Sequence, residues 1–251
     1  MDFNCLTESY WLKQASRVER VRQQIVERMS TAEGKVVPEA PDLTIGTGRR
    51  LKMAIMFLDI CDFSSRPSEF KDEQEQLLAI LNLFFTEMIR IIGDYGGTVE
   101  KNTGDGLMAY FDDGGSNPPE NGTHRAVSCA LTMMAANEYL INPILQRTGI
   151  KEINFRVCID YGTVTIARLG AAKRFNAIVA IGTTANVASK MLSAAKAGDI
   201  LIGSSAKGEL PQLWQQNWTE IHTIDTGWVY RVSGLQYMFY KYTGRWSSLI
   251  E

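Results

Sequence analysis

The sequence predicts an α+β fold, with helices on one face of a largely antiparallel sheet in the βαββαβ order of a ferredoxin-like layer. Three observations predict it. An apolar run, 53-MAIMFLD-59, leads into a long amphipathic stretch, 72-DEQEQLLAILNLFFTEMIRIIGDYGG-97. Two short apolar segments, 98-TVEK-101 and 106-GLMAYF-111, flank the turn NTGD. A later strand pattern, 153-INFRVCIDYG-162, comes before another helical segment and another strand.

Taken in order, residues 6–29 place Trp11, Ala15, Val18, Val21, Ile25 and Met29 three or four apart among Arg and Glu, which predicts an amphipathic helix. Residues 30–49 collect two prolines and three glycines and read as a linker. This gives an N-terminal helix and linker over 1–49 and one domain over 50–251. The stretch 72–97 has an acidic first turn and stops at glycines, as a helix should. NTGD predicts a hairpin turn. Residues 113–122 read as a surface loop, and a second helix runs from about His124 toward Asn142, where Pro143 disturbs or ends it. Residues 153–162 and 163–170 read as paired strands, 183–196 as a helix, 199–203 as a strand, and 236-QYMFYKY-242 as an aromatic strand. No internal repeat is visible.

Composition narrows the function. The 251 residues are 45% hydrophobic and 22% charged, which suits one sizeable domain with an appendage. A net charge of −2 exerts no general pull on nucleic acid or anionic lipid, so nucleotide chemistry would rest on local basic groups and metal ions. The start MDFNCLTESYW lacks a signal-peptide pattern, and no segment approaches 18 uninterrupted apolar residues, so a cytosolic location without a membrane partner is expected. Cys5, Cys61, Cys129 and Cys158 form no C-x-x-C pair and read as reduced thiols.

The apolar strand 53–59 ends in Asp59, and Asp62 follows three positions later. A buried strand should end in turn chemistry, because an unpaired carboxylate in a core costs several kcal/mol. In the βαββ order the end of this strand meets the NTGD turn, which brings Asp59 beside Asp105. Two carboxylates there repel unless a cation sits between them, and oxygen-only ligands suit magnesium or manganese. Either aspartate alone reads as a cap; their joint placement turns the reading toward a cation site.

The motifs FLDICDFS (57–64), VEKNTGDGLMAYF (99–111), YGTVTIARLG (161–170) and IGTTANVASKM (181–191) resemble, in order and spacing, the catalytic domain of class III nucleotidyl cyclases. Among these the chain looks most like the pyrimidine cyclases of bacterial Pycsar antiphage systems. The resemblance implies two divalent ions, Mg2+ or Mn2+, held by Asp59, Asp105 and the backbone carbonyl of Ile60. Backbone amides around Phe63 and Ser64 would cradle a triphosphate. Asp62 stands where glycine is common in the family and is not read as a ligand. Asn186 and Lys190 match an asparagine that orients the ribose and an arginine that stabilises charge at the α-phosphate; lysine supplies the charge without the fork. A solvated helix lysine is the competing reading.

For base choice, Lys101 matches the lysine that reads adenine in adenylate cyclases. Its companion position, counted back from Gly182, is Val179, which has no hydrogen-bonding group. A smaller base is therefore inferred, UTP in preference to CTP. Lys173 and Arg174 either meet phosphates or solvate their loop, and Arg231 is the candidate for a late phosphate-gripping cation. His124 and His222 lie outside the matched motifs. The resemblance also implies a homodimer with two shared sites, a nucleoside triphosphate substrate, no nucleic-acid partner, and a separate effector for the cyclic nucleotide. Alternatives are an adenylate cyclase making cAMP and a catalytically weak nucleotide-binding module; a diguanylate cyclase is disfavoured by the absence of GGDEF or GGEEF.

Overall fold

The structure, a computed structural model, describes residues 30–33, 47–114, 121–172, 175–221 and 226–245. Its elements are β1 (Ser30–Glu33), β2 (Thr47–Ile60), α1 (Lys71–Asp94), β3 (Thr98–Asn102), β4 (Gly106–Asp112), α2 (Gly122–Ala136), α3 (Asn142–Arg147), β5 (Phe155–Ala172), β6 (Phe175–Ile181), α4 (Thr183–Met191), β7 (Ile200–Gly203), α5 (Ser204–Gly208), α6 (Gln212–Asn217), β8 (Thr219–Ile221) and β9 (Phe239–Tyr242). The chain divides into two compact units, Met1–Leu51 with Thr165–Ile181, and Lys52–Val164 with Gly182–Glu251. The helix expected over residues 6–29 lies outside the described residues.

In the larger unit the strands run β3-β4-β2-β5-β7-β9-β8. β2 pairs antiparallel with β4, β3 with β4, and β7 with β9, while β5 and β7 are parallel. Met53, Ala54, Ile55, Met56 and Leu58 are all buried, as expected of a strand covered on both faces. α1 buries Ile80, Phe84, Phe85, Met88, Ile91 and Ile92, and Phe84 meets Phe155 edge-on at 5.4 Å. Glu73 closes the start of that helix by accepting from the Glu69 and Phe70 amides. By length and composition α1 could cross a membrane, yet its inner face belongs to the core cluster.

Pro143 disturbs its helix without ending it. Residues Asn137–Ile141 form a π-turn, and Pro143 sits in the first turn of α3, where a missing N–H costs little. The side chains of Asn137 and Asn142 both donate to the Ile153 carbonyl, and Asn142 Oδ1 accepts from the Ile153 amide at 2.9 Å. This ties the π-turn to the segment leading into β5.

The smaller unit changes two expectations. Residues 30–49 are not wholly linker: β1 runs parallel to the start of β2, Ser30 opposite Thr47 and Glu33 opposite Arg50. Gly34, Pro38, Pro41 and Gly46 fall between the two paired segments, while Gly48 lies within β2 opposite Thr31. The two strands expected over 153–170 are instead one continuous strand, β5, over Phe155–Ala172. Gly162 makes no turn; it admits a neighbour, because a Cβ there would come within 2.5 Å of Thr184 Oγ1. The distal half of β5 pairs antiparallel with β6, a strand that the sequence pattern does not predict.

Candidate functional site

Asp59 stands one residue before the end of β2, opposite Gly106 on β4, and the Ile60 amide donates to the Asp105 carbonyl at 2.9 Å. Register therefore brings the two aspartates together at the β3–β4 turn, as the sequence implies. Gly104, at φ 99, allows that turn, and its amide donates to Asn102 Oδ1 at 2.7 Å. Gly106 allows the close approach of the strands, since a Cβ there would lie 2.6 Å from the Leu58 carbonyl.

The countercharge of Asp59 is Arg156 on β5. Its Nη2 and Nε donate to Asp59 Oδ2 at 2.6 and 2.9 Å, and Nη1 donates to the Ala195 carbonyl at 3.1 Å. Burial pulls the guanidinium pKa down, but the hydrogen bonds and charge of Asp59 outweigh it and leave it above the ordinary value. Sequence reasoning did not single out Arg156. The available signal was a basic residue inside the otherwise apolar run 153-INFRVCI-159. Burial pushes the neighbouring Cys61 thiol up, against a downward pull from Arg156.

The loop after β2 is pinned at both ends. The Cys61 amide donates to the Asn154 carbonyl at 2.8 Å, and Arg66 donates to the carbonyls of Lys151 and Glu152. Asp62 adopts φ 55, a left-handed conformation that glycine takes freely and aspartate tolerates. Phe63 packs half-buried against the core, and Ser64 is exposed.

A second group of residues gathers around α4. Thr184, Ala185, Ala188 and Met191 are buried and fix its inner face, which leaves Asn186 and Lys190, one turn apart, on the outer face. Both line a cavity of about 430 Å³ together with Thr183, Trp228, Tyr230, Arg231 and Tyr237. The structure thus brings Arg231 to Asn186 and Lys190. It also adds Trp228, whose ring centroid lies 6.0 Å from Lys190 Nζ, at the limit of a cation–π contact. Behind the cavity, the Asp160 carboxyl is buried next to the Tyr237 hydroxyl at Gly203, where a Cβ would strike both. Burial pushes Asp160 up to about 7, with the Tyr237 hydroxyl and the Tyr161 amide pulling the other way. Neither Asp59 nor Asp105 is among the described residues lining the cavity.

The base-reading candidates stand elsewhere. Lys101 is exposed on β3, its Nζ 3.6 Å from Glu100. Val179, in the smaller unit, is half-buried on β6 opposite Ala167. Lys173, Arg174 and His222 lie outside the described residues. His124 packs edge-on against Trp214 at 4.5 Å, a structural placement.

The family described as adenylate and guanylate cyclase catalytic domain matches residues 47–227. An adenylate cyclase from Anabaena cylindrica is 29% identical over 152 residues, covering 60% of this chain and 28% of that protein. A uridylate cyclase from Rhodovulum sp. (strain MB263) is 25% identical over 165 residues, covering 63% of this chain and 65% of that protein. The chain thus spans less than two thirds of either relative. The crystal structure of the adenylyl cyclase CyaB from P. aeruginosa matches with a TM-score of 0.66 and 25% identity, over 80% of this chain and 98% of that one.

Proposed function

The chain belongs to the adenylate and guanylate cyclase catalytic-domain family, and on that premise we propose that it cyclises a pyrimidine nucleoside triphosphate, UTP in preference to CTP, to the 3′,5′-cyclic monophosphate and pyrophosphate. The observation that carries the chemistry is the placement of Asp59 beside the Asp105 turn at the end of a buried strand. Two carboxylates and the Ile60 carbonyl make a sparse, oxygen-only donor set. Among the described residues no group of three or more His, Cys, Asp or Glu side chains could cage an ion by itself. That fits Mg2+ or Mn2+, which keep coordination positions for water and substrate phosphates. Bound there, a pair of such ions supplies charge neutralisation on the triphosphate and a more acidic ribose 3′-hydroxyl.

The remaining roles belong to the chain. Asn186 holds the ribose, and Lys190 and Arg231 put positive charge beside the α-phosphate and the departing pyrophosphate. Amides at Phe63 and Ser64 cradle the triphosphate. The 3′-oxygen attacks the α-phosphorus, the bond to the bridging oxygen breaks in line, and the 3′-hydroxyl proton leaves to solvent. No covalent enzyme intermediate is required.

The cavity that carries Asn186 and Lys190 does not include the aspartates. That separation supports a homodimer in which the acidic half of one chain meets the basic half of the other, twice. A cyclic pyrimidine nucleotide made in this way would act as a second messenger read by a separate effector, in antiphage defence.

Base choice rests on Lys101 and Val179. Lysine donates to a uracil carbonyl, whereas adenine also needs an acceptor for its amino group, which valine lacks. Leaving that group unpaired should cost about 1–3 kcal/mol, or about 5- to 160-fold in preference. An adenylate cyclase is the second reading, favoured by an exposed Lys101 that could donate to an adenine ring nitrogen. Incubating the pure protein with equal concentrations of all four triphosphates and Mn2+, with products separated by mass, distinguishes them. Dominant cUMP is the expected result. Dominant cAMP would overturn the pyrimidine reading and keep the cyclase; no cyclic product would overturn both.

A further inference from the structure

Arg156 holds the acidic half in an unusual way. A guanidinium that recognises a carboxylate commonly sets two N–H groups on two oxygens. Here Nε and Nη2 converge on one oxygen, Asp59 Oδ2, while Nη1 is anchored on the Ala195 carbonyl. The side chains are 28% and 20% exposed, so solvent does little to weaken the pair. A divalent ion on Asp59 needs lone pairs of the same carboxylate, and two cations held side by side repel.

We propose that Arg156 competes with divalent metal for Asp59 and so keeps free ions weakly bound. The inference rests on the reading of Asp59 as a metal ligand and is independent of which base is used. Thermodynamic linkage makes the effect reciprocal: metal that takes Asp59 weakens the hold on Arg156 as much as Arg156 weakens the hold on metal.

The test is Mn2+ binding without nucleotide, read from the electron paramagnetic resonance signal of free Mn2+. Wild type, Arg156→Ala, Arg156→Lys and Arg156→Ala/Asp59→Ala are compared, with circular dichroism and thermal melting reporting the fold. Arg156→Ala should bind Mn2+ about tenfold more tightly, the scale of a lost charge-assisted hydrogen bond. Arg156→Lys, with charge but no fork, should fall between, and the double variant should lose the gain. Arg156→Gln, which keeps a donor for the Ala195 carbonyl without the charge, carries the same expectation if the alanine variant unfolds. Equal or weaker Mn2+ affinity in a folded uncharged variant would overturn the inference. So would a gain that survives Asp59→Ala, or no Mn2+ binding in any variant. Failure of turnover with every triphosphate would sink the proposed function while leaving this measurement intact. Unchanged Mn2+ affinity in a protein that does turn over would sink this inference alone.

Discussion

Asp59 sits on a buried strand with its charge met at 2.6 Å by Arg156, whereas Lys190 stands exposed on α4, over the ring of Trp228. The first is positioned by register between β2 and β4, so its location is set by the core. The second is positioned by a nine-residue helix and by the 228–237 hairpin, which is closed by the Tyr237 amide donating to the Trp228 carbonyl at 2.8 Å. The difference follows from where solvent reaches. A half-buried carboxylate must be neutralised within the fold, because its desolvation is otherwise uncompensated. An exposed ammonium is already solvated and needs no such partner.

The largest expected effect breaks the acidic half. Asp59→Ala or Asp105→Ala should each lower turnover by about 10³-fold or more while the protein stays folded. The two should differ in stability. Asp59→Ala leaves the Arg156 guanidinium without its carboxylate and should cost about 1–3 kcal/mol in urea unfolding, a penalty that Asp105→Ala does not carry. Equal unfolding midpoints for the two variants would contradict the ion pair as a structural element.

A second variant probes the ground beneath the basic half. The Asp160 carboxyl titrates near 7 in the fold and near 3.8 in the unfolded chain, so the stability contributed by its neutral form is full below about pH 4 and is lost as pH rises through 7. Asp160→Asn, neutral throughout, should gain on wild type with rising pH, by roughly 3–4 kcal/mol near pH 8 and less at pH 5. Urea midpoints at the two pH values measure it; a pH-independent gap would mean that burial does not govern this carboxyl.

The smallest effect sharpens the role of Trp228. If its ring steadies Lys190, Trp228→Leu should lower kcat/KM by about two- to fivefold, as expected of an exposed cation–π contact. In a Lys190→Ala background the same change should cost almost nothing further. Additive losses would make Trp228 a wall of the cavity and no more.

Asp59, Asp105 and the hairpin between β3 and β4 were legible because they depend on local signals: an apolar run that ends in acid, and a turn sequence with glycine in the left-handed position. The glycine-like position of Asp62 has its reason in a positive φ. Arg156 was not legible, because its partner depends on which strands become neighbours, and β5 lies beside β2 only once the sheet order is known. β6 was hidden in a stretch where a basic pair between small residues reads as loop. The cavity was hidden for a similar reason. Trp228, Tyr230 and Arg231 follow no strand alternation, and only the closure of the hairpin onto α4 gathers them around Lys190.

If, as proposed, the two halves of the site complete one another between copies, subunit mixing tests it most directly. Asp59→Ala and Lys190→Ala homodimers, each nearly inactive, should regain activity when mixed, because every heterodimer pairs one doubly defective site with one intact site. With free exchange at equal amounts, half of the dimers are mixed and half of their sites are intact, so about a quarter of wild-type activity should return. Exchange demonstrated by mass of the mixed dimer, with no return of activity, would contradict the shared site.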